Sequence, residues 1–474
     1  MHTRLAVLGG GPGGYAAAFL AADLGMEVTI VEADARLGGT CLIRGCIPSK
    51  ALLHVAKVIN EAREMSEWGI DFTRPGVKID ALRARKEKVV STLTGGLKQL
   101  AKQRKVRVIQ AKGVFENSTT LRLEGGDPAT REGDKLTFDH CILATGSVPA
   151  KIPAFDLPTD RVMDSTGALE LRDVPESLLV VGGGYIGLEM GTVYAELGTK
   201  VSVVELTGGL LPGADRDLVK PLQTRLEKLL TSIYLNTKVK SLADRGEAVE
   251  VTFEDAEGKT RSERYSRVLV SVGRKPSSGG IGLENTKVKV NQRGFVEIDR
   301  QQRTADPHIL AIGDVAGEPM LAHKASHEGK VAVEVLHGGT AEFDPLAIPA
   351  VVFTDPEIAW AGLTEEQAKR DGRQIEVSRY PWAASGRAQS LGRTEGLTKI
   401  IVDPQTDRLL GVGIVGPDAG DLISEGVLAI EMGCTPRDLA DTIHPHPTLS
   451  ETLAFSGEAY LGLATEIYRP KRRD

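Results

Sequence analysis

Two stretches of the chain share one pattern of apolar and polar positions. In residues 5–32 and 178–205, a short apolar run leads into a glycine-rich turn and then into a stretch of helix-forming residues. Each stretch closes with a second apolar run, rich in β-branched residues, that ends in Glu. The two stretches align without a gap, so the pattern predicts two copies of a strand-helix-strand unit.

Both units carry the spacing Gly-x-Gly-x-x-Gly where the first strand ends. Such glycines permit a tight turn and close approach of a pyrophosphate to the helix N-terminus, whose unpaired N–H groups attract anions. The acidic residue that ends the second strand can bind ribose hydroxyls. The pattern predicts two dinucleotide sites, formed by Gly9, Gly11, Gly14 and Glu32 and by Gly182, Gly184, Gly187 and Glu205.

Two dinucleotides on one chain suggest an electron relay, in which one cofactor stays bound while the other exchanges. Flavin and nicotinamide are the natural pair for such a relay. Glu205 is followed by Leu206 and Thr207, with no Arg or Lys nearby to neutralise a 2′-phosphate. This favours NAD over NADP.

Composition narrows the class of protein. A length of 474 residues predicts about three domains, and 41% apolar with 26% charged residues excludes disordered, collagen-like and coiled-coil chains. A net charge of −6 gives no overall attraction to nucleic acid.

The uncharged run 5–22 holds five glycines and a proline, so it fits the dinucleotide fingerprint better than a signal peptide or a membrane span. We therefore expect a soluble cytoplasmic enzyme; the basic run 469–473 is interpreted as a solvated tail.

Cys41 and Cys46 form a close pair directly after the first unit. Residues five apart on a regular helix differ by about 140° of rotation, so joining the sulfurs requires a distorted turn, which Gly45 and Pro48 allow. A Cys near a helix N-terminus and beside Lys50 has a lowered thiol pKa, which suits a redox thiol. The alternative is half of a zinc site, but no second half-site is evident, so we predict no metal.

Eight motifs in order make the chain resemble the pyridine nucleotide-disulphide oxidoreductases over essentially its whole length, and within them the dihydrolipoyl dehydrogenase branch. The motifs occupy residues 37–50, 144–146, 182–187, 272–276, 311–315, 320–325, 353–357 and 444–451. Two positions depart from the pattern of the branch. Ile43 replaces a usual Asn near the cysteines, and Tyr185 is similar to a residue of the glutathione reductase relatives.

The resemblance implies which residues hold the cofactors. FAD would be held by Gly9, Gly11, Gly14, Glu32, Gly39, Thr40, Lys50, Gly113, Thr145, Gly146, Gly313, Asp314 and Ala322. Asp314 would bind the ribityl chain, and Glu189 would be the acidic partner of Lys50 beside the flavin. NAD would be held by Gly182, Gly184, Gly187, Glu205, Val239 and Gly273.

The last motif supplies a candidate acid–base group. A free dithiol is mostly protonated at neutral pH, so its attack on a disulfide requires a base, and His is the obvious type. His446 precedes Pro-Thr and lies five residues before Glu451, which can orient the ring. His444 is the local competitor, and the family pattern selects His446. The resemblance also implies that His446 reaches the cysteine pair of the other subunit of a homodimer.

The fold that the resemblance implies is α/β, with two Rossmann-like dinucleotide-binding domains and a C-terminal α+β dimerisation domain. We place the FAD domain at 1–148, the NAD domain at 149–273, a central segment that completes the FAD site at 274–344, and the interface domain at 345–474. The implied activity is oxidation of dihydrolipoyl groups, with electrons passing through the Cys41–Cys46 disulfide and FAD to NAD⁺, and with Cys46 facing the flavin.

The implied partners are a second copy of the chain and the lipoyl-bearing acyltransferase of a 2-oxo acid dehydrogenase complex, or the carrier protein of glycine cleavage. Small-molecule dihydrolipoamide would also be a substrate, and a role in cell redox homeostasis would follow. Two alternatives stay open. One is an NADPH-dependent enzyme similar to glutathione or mercuric reductase, and the other is a flavoprotein subunit without turnover.

Overall fold

The computed structural model describes residues 1–73, 75–126 and 133–468, so the basic run 469–473 lies outside the described residues. The N-terminal elements are β1 (His2–Leu8), α1 (Pro12–Asp23), β2 (Val28–Glu32), α2 (Gly39–Arg44), α3 (Cys46–Glu64), α4 (Ile79–Gln103), β3 (Arg107–Gln110), β4 (Lys112–Asn117), β5 (Thr120–Glu124), β6 (Lys135–Leu143) and β7 (Ser147–Pro149).

The middle elements are β8 (Val162–Met163), α5 (Ser165–Glu170), β9 (Ser177–Val181), α6 (Tyr185–Leu197), β10 (Lys200–Val204), α7 (Arg216–Leu229), β11 (Ser232–Tyr234), β12 (Lys238–Asp244), β13 (Val249–Glu254), β14 (Thr260–Tyr265), β15 (Arg267–Val270), β16 (Arg274–Pro276), β17 (Ile309–Ala311) and α8 (Ala322–Leu336). The C-terminal elements are β18 (Ala350–Val352), β19 (Glu357–Gly362), α9 (Glu365–Asp371), β20 (Glu376–Pro381), α10 (Gly386–Leu391), β21 (Leu397–Val402), β22 (Leu409–Gly416), α11 (Ala419–Glu431), α12 (Pro436–Asp441) and α13 (Glu451–Leu461).

The first glycine turn lies at the carboxyl edge of a seven-stranded sheet. The strand order is β3-β2-β1-β6-β5-β4, and β17 adds to β6 in parallel. β1 pairs in parallel with both β2 and β6, and its last four residues are buried, as expected for a strand covered on both faces. The order reverses beside β1, which is where sheets of this kind bind ligands. Because β17 runs in the same direction, the residues that follow it reach the same edge.

The second repeated unit builds a second parallel sheet. β9, α6 and β10 repeat the arrangement of β1, α1 and β2, and the sheet order is β11-β10-β9-β15-β8. The antiparallel strands β12, β13 and β14 form a separate three-stranded sheet. The predicted pair of strand-helix-strand units is therefore confirmed.

The C-terminal part is an antiparallel sheet with helices, in the order β18-β19-β22-β21-β20. Trp382 is fully buried in its core, and the indole N–H donates to Thr398 Oγ1 at 2.9 Å. Large apolar side chains remain exposed on this part of the single chain, and they include Leu346, Leu428, Met432 and Ile443. No helix in the described part of the chain has the length and hydrophobicity needed to cross a bilayer.

Candidate active site

A cavity of about 740 Å³ lies at the carboxyl edge of the first sheet. Its lining contains almost every residue that the sequence assigned to FAD, namely Gly9, Gly11, Glu32, Gly39, Thr40, Lys50, Gly113, Thr145, Gly146, Gly313, Asp314 and Ala322. The remaining one, Gly14, packs beneath the turn, where an added Cβ would lie 1.9 Å from the Gly9 carbonyl oxygen. Gly14 therefore permits the approach of α1 to β1.

The N-terminus of α1 fits a pyrophosphate. Its N-cap is Gly11, which offers no side chain to the free N–H groups, and Gly11, Pro12 and Gly13 all line the cavity. Gly39 approaches this turn so closely that a Cβ on it would lie 2.6 Å from the Gly11 Cα. Uncapped N–H groups and the helix dipole favour an anion here, and the volume suits a large cofactor. The residues present thus fit FAD.

Glu32 and Glu205 occupy equivalent positions in the two units and make equivalent hydrogen bonds. Glu32 accepts from the Gly10 N–H at 2.6 Å, and Glu205 accepts from the Gly183 N–H at 2.7 Å. The other oxygen of each carboxylate accepts from the backbone N–H two residues further along, at 2.8 Å in both units. These bonds fix the strand end to its glycine turn. Glu205 Oε1 also accepts from Thr207 Oγ1 at 2.8 Å, so in the second unit Oε2 is the oxygen that retains a lone pair for a ribose hydroxyl.

The remaining residues assigned to NAD lie at or near the edge of the second sheet. An added Cβ on Gly187 would lie 2.3 Å from the Gly182 carbonyl oxygen, so this turn repeats the close packing of the first. Gly273 follows β15 with φ of +114°, a conformation that favours glycine. Val239 is buried within β12, where it pairs with Phe253 of β13.

A break between two helices brings Cys41 and Cys46 together. α2 ends at Arg44 and α3 begins at Cys46, so the predicted distorted turn is a complete interruption at Gly45. An added Cβ on Gly45 would lie 2.8 Å from the Thr40 carbonyl oxygen, which explains the glycine. Both cysteines are free thiols in this structure, and their side chains share a hydrogen bond.

The two thiols have opposite acidities. The hydrogen bond from Cys41 lowers the pKa of Cys46 to about 7, and the positive charge of Lys50 acts in the same direction, against burial and the negative charge of Glu189. Donating that hydrogen bond, together with burial, raises the pKa of Cys41. In the reduced pair, the positive charge of Lys50 therefore favours the thiolate form of Cys46. A thiol of low pKa is also the better leaving group when its disulfide is attacked.

Lys50 is held at the cavity by a buried carboxylate and an aromatic ring. Its Nζ lies 2.8 Å from Glu189 Oε2 and 4.4 Å from the centroid of the Phe353 ring. Glu189 Oε1 accepts from the Phe353 backbone N–H at 3.0 Å. The structure thus brings together Lys50 and Glu189, which are 139 positions apart in the sequence.

We expect Lys50 and Glu189 to shift the acidity of Cys46 in opposite directions. Lys50→Met removes a charge that favours the thiolate and should raise the pKa of Cys46 above its value of about 7, whereas Glu189→Gln should lower it. The measurement is a pH titration of thiolate ultraviolet absorbance in the reduced protein freed of cofactors, with Cys46→Ser identifying the signal. Shifts of the same sign in both variants would contradict this electrostatic account.

The sequence analysis gave no role to two residues that hold Asp314. Ser147 Oγ donates to Asp314 Oδ2 at 2.5 Å, and Arg274 Nε donates to Ser147 Oγ at 2.7 Å. Arg274 also donates to the Ser147 carbonyl at 2.6 Å, across the antiparallel pair β7–β16. Ser147 directly follows the motif at 144–146 and Arg274 lies within the motif at 272–276, and those positions were the available signal.

His446 lies on the loop between α12 and α13, where its Nδ1 is 2.8 Å from Glu451 Oε1. Glu451 Oε2 accepts from the Thr448 N–H at 2.7 Å, which fixes the carboxylate. The His446 side chain is 77% exposed, so its Nε2 faces solvent. His444 differs, because it is 6% exposed and both ring nitrogens have partners, Thr442 O at 2.8 Å and Glu425 Oε1 at 2.7 Å. Of the two, only His446 offers a ring nitrogen to a substrate.

Among the described residues, His446 and Glu451 do not line the cavity that contains the two cysteines. A single chain therefore divides the predicted catalytic residues between two places. The exposed His446 ring and the exposed apolar side chains of the C-terminal part lie outside that cavity.

Comparison with known proteins gives consistent results. Residues 3–329 match a sequence model described as pyridine nucleotide-disulphide oxidoreductase, and residues 348–455 match the model of the dimerisation domain of that family. The dihydrolipoyl dehydrogenase of Vibrio cholerae is 47% identical over 473 residues, covering 100% of this chain and 98% of the relative. That of Geobacillus stearothermophilus is 44% identical over 467 residues, covering 98% of each.

Two solved structures are also similar to this chain. LpdA from Mycobacterium tuberculosis is 27% identical with a TM-score of 0.87, covering 96% of this chain and 99% of that one. The HOCl-induced flavoprotein disulfide reductase RclA from Escherichia coli is 30% identical with a TM-score of 0.82, covering 95% and 98%. The predicted cofactors, FAD and NAD, are those of this family, and the C-terminal match supports a homodimer. With two dinucleotide turns, a thiol pair between them in sequence and matches that span almost the whole chain, this protein belongs to the pyridine nucleotide-disulphide oxidoreductase family.

Proposed function

We propose that this protein is an NAD-dependent dihydrolipoyl dehydrogenase, which oxidises the dihydrolipoyl groups of 2-oxo acid dehydrogenase or glycine cleavage complexes in the cytoplasm. The observation that carries the proposal is the thiol pair. Cys41 and Cys46 lie in the wall of a cavity that fits FAD, and one of them is acidified to a pKa of about 7. Relatives that are 44% and 47% identical over their whole length carry this name.

The acidities of the two cysteines support a direction for the thiol chemistry. In the oxidised protein the two form a disulfide, and a substrate thiolate attacks Cys41 Sγ. This forms a mixed disulfide and releases Cys46 as a thiolate, which is the better leaving group because of its lower pKa. The second substrate thiolate attacks the substrate sulfur of the mixed disulfide. It displaces Cys41, so one dithiol is oxidised and one disulfide is reduced.

His446 is the proposed base for the substrate thiols. It takes the proton of the first thiol and releases it to solvent, then takes the proton of the second thiol and passes it to the displaced Cys41 thiolate, whose pKa is raised. The Glu451 carboxylate accepts from Nδ1–H at 2.8 Å, which leaves the Nε2 lone pair to take a proton. Because His446 lies outside the cavity of its own chain, we place it at the cysteine pair of a second copy in a homodimer. The dimerisation-domain match and the exposed apolar side chains of the C-terminal part support this arrangement.

Lys50 and Glu205 have the remaining proposed roles. Lys50 carries a positive charge in the cavity beside Cys46, where it stabilises the thiolate of the reduced pair. Glu205, with exposed Leu206 next to it, binds ribose hydroxyls and disfavours a 2′-phosphate. When bound, FAD and NAD supply the two-electron transfer chemistry that links the dithiol to NADH.

The direct test is NADH formation by the purified protein from dihydrolipoamide and NAD⁺. We expect turnover, with kcat/KM about 100-fold lower for NADP⁺ because Glu205 repels a 2′-phosphate. The contrasting assay is oxidation of NADPH by oxidised glutathione, for which we expect no turnover. Turnover in the second assay alone would replace the proposed substrate and cofactor. No turnover in either would favour a flavoprotein subunit without activity of its own.

A further inference from the structure

Helix α8 contains a buried ion pair that the proposed chemistry does not use. Lys324 Nζ lies 2.6 Å from Glu328 Oε1, and the two side chains are only 6% and 3% exposed. Neither residue lines the cavity, although Ala322 and Ala325 of the same helix do. The pair therefore lies behind the cavity wall.

The pair binds both ends of the turn that carries Asp314. Glu328 Oε2 accepts from the Gly313 backbone N–H at 2.6 Å, and Lys324 Nζ donates to the Gly317 carbonyl at 3.3 Å. The turn begins with Gly313 in a left-handed conformation, with φ of +73°, and an added Cβ there would lie 3.0 Å from Ala325 Cβ. The main chain on both sides of Asp314 is thus bonded to two side chains of one helix.

The same helix is packed against the glycine turn of α1. An added Cβ on Gly329 would lie 2.8 Å from the Gly13 carbonyl oxygen, so the two helices are in backbone contact. Ser326 Oγ donates to the Pro12 carbonyl at 3.3 Å. Helix α8 therefore contacts both the glycine turn that fits a pyrophosphate and the turn that carries Asp314.

Stability alone does not require charges at these positions. A buried ion pair contributes little net stability compared with apolar side chains of similar volume. What this pair adds is an acceptor for one backbone N–H and a donor for one carbonyl, and both of those groups are in the Asp314 turn.

We propose that Glu328 is a positioning residue, whose side-chain oxygen holds the Asp314 turn in register with the glycine turn of α1 so that both can bind one FAD molecule, while Lys324 neutralises its buried charge. This rests on the FAD site of the proposed function. Without bound FAD, a loosened turn can expose Gly313 to water. With FAD bound the turn is ordered. Loss of the acceptor for the Gly313 N–H therefore raises the free energy of the complex more than that of the free protein. The positioning role therefore predicts an effect on FAD affinity.

The test compares two double variants that both lack the buried charges. Lys324→Met with Glu328→Gln retains a side-chain oxygen for the Gly313 N–H, whereas Lys324→Met with Glu328→Leu removes it. We expect the leucine variant to bind FAD about tenfold more weakly than the glutamine variant, the effect of one buried N–H without an acceptor. The measurement is titration of each protein, freed of cofactor, with FAD by fluorescence, alongside thermal unfolding of the free proteins.

Lys399→Met is the matched control, because Lys399 is a 1% exposed lysine in the C-terminal part, paired with Asp215, Asp217 and Glu365. It should lower the unfolding temperature and leave FAD affinity unchanged.

Equal FAD affinities for the two double variants would overturn the proposal. If the leucine variant does not fold, hydrogen exchange at residues 309–317 of the FAD-bound glutamine variant decides. Protection as in the wild type supports the proposal, and faster exchange overturns it. FAD affinity is measured without turnover. Absence of the proposed dehydrogenase activity would therefore change neither the FAD titrations nor the hydrogen exchange.

Discussion

Cys46→Ser is expected to lower NADH formation from dihydrolipoamide by about 10³-fold or more, the scale of loss when a side chain that takes part in the reaction is removed. A serine hydroxyl cannot form a disulfide with Cys41, so the substrate dithiol has no acceptor for its electron pair. The loss should appear in kcat, and no increase in substrate concentration should restore it. Steady-state kinetics with dihydrolipoamide and NAD⁺ measure this directly.

Two controls separate lost chemistry from lost folding. Cys434→Ser changes another cysteine, which lies outside the cavity among the described residues, and should leave turnover unchanged. Reduction of an artificial electron acceptor by NADH does not need the thiol pair, so Cys46→Ser should retain it. If Cys46→Ser still oxidised dihydrolipoamide at a rate near that of the wild type, the proposed role of the pair would be wrong.

His446→Gln is expected to lower the same activity by about 10² to 10⁴-fold, the usual contribution of a general base. Glutamine can hydrogen-bond but cannot take a proton at neutral pH, so the substrate thiol must ionise unaided. Activity of the variant should therefore rise with pH as the substrate deprotonates, and a pH profile of kcat/KM shows this. His337→Gln, at an exposed His on the loop after α8, is the matched control and should have no effect.

The placement of His446 in a second copy gives this prediction a further test. Cys46→Ser and His446→Gln are each expected to be nearly inactive as homodimers. A mixed dimer contains one site with an intact thiol pair from one copy and an intact His446 from the other. Random mixing of equal amounts should restore about a quarter of wild-type activity if the homodimer is symmetric. No restoration would indicate that His446 serves its own chain.

Local spacing was sufficient for the dinucleotide sites. The residues of each glycine turn are close in sequence, and the structure places them as the pattern predicted, with Glu32 and Glu205 bonded to their own turns. The thiol pair was also predicted from local spacing, although the geometry of the turn between the two cysteines was predicted only in part. The sequence predicted a distorted turn, whereas in the structure Gly45 separates two helices and lies so close to the Thr40 carbonyl oxygen that a Cβ would not fit.

Contacts between distant segments could not be derived from spacing. Ser147 reaches Asp314 because β17 joins the first sheet, and Arg274 reaches Ser147 because β7 pairs with β16. The resemblance supplied Asp314 but not these two partners. The ion pair of Lys324 and Glu328 joins two residues four positions apart on one helix. Its burial behind the Asp314 turn, however, depends on the packing of α8 against α1.

The sequence by itself determined the two repeated units and the family, and it predicted the redox role of the two cysteines and the preference for NAD, because these depend on residue types at short spacings. The tertiary structure decided the acidity of Cys46, the exposure of His446 and the burial of His444. A pKa depends on the nearest charges and hydrogen bonds in space, and the exposure of a ring depends on what packs against it. Both are set by segments that lie far apart in the chain and meet only when it folds.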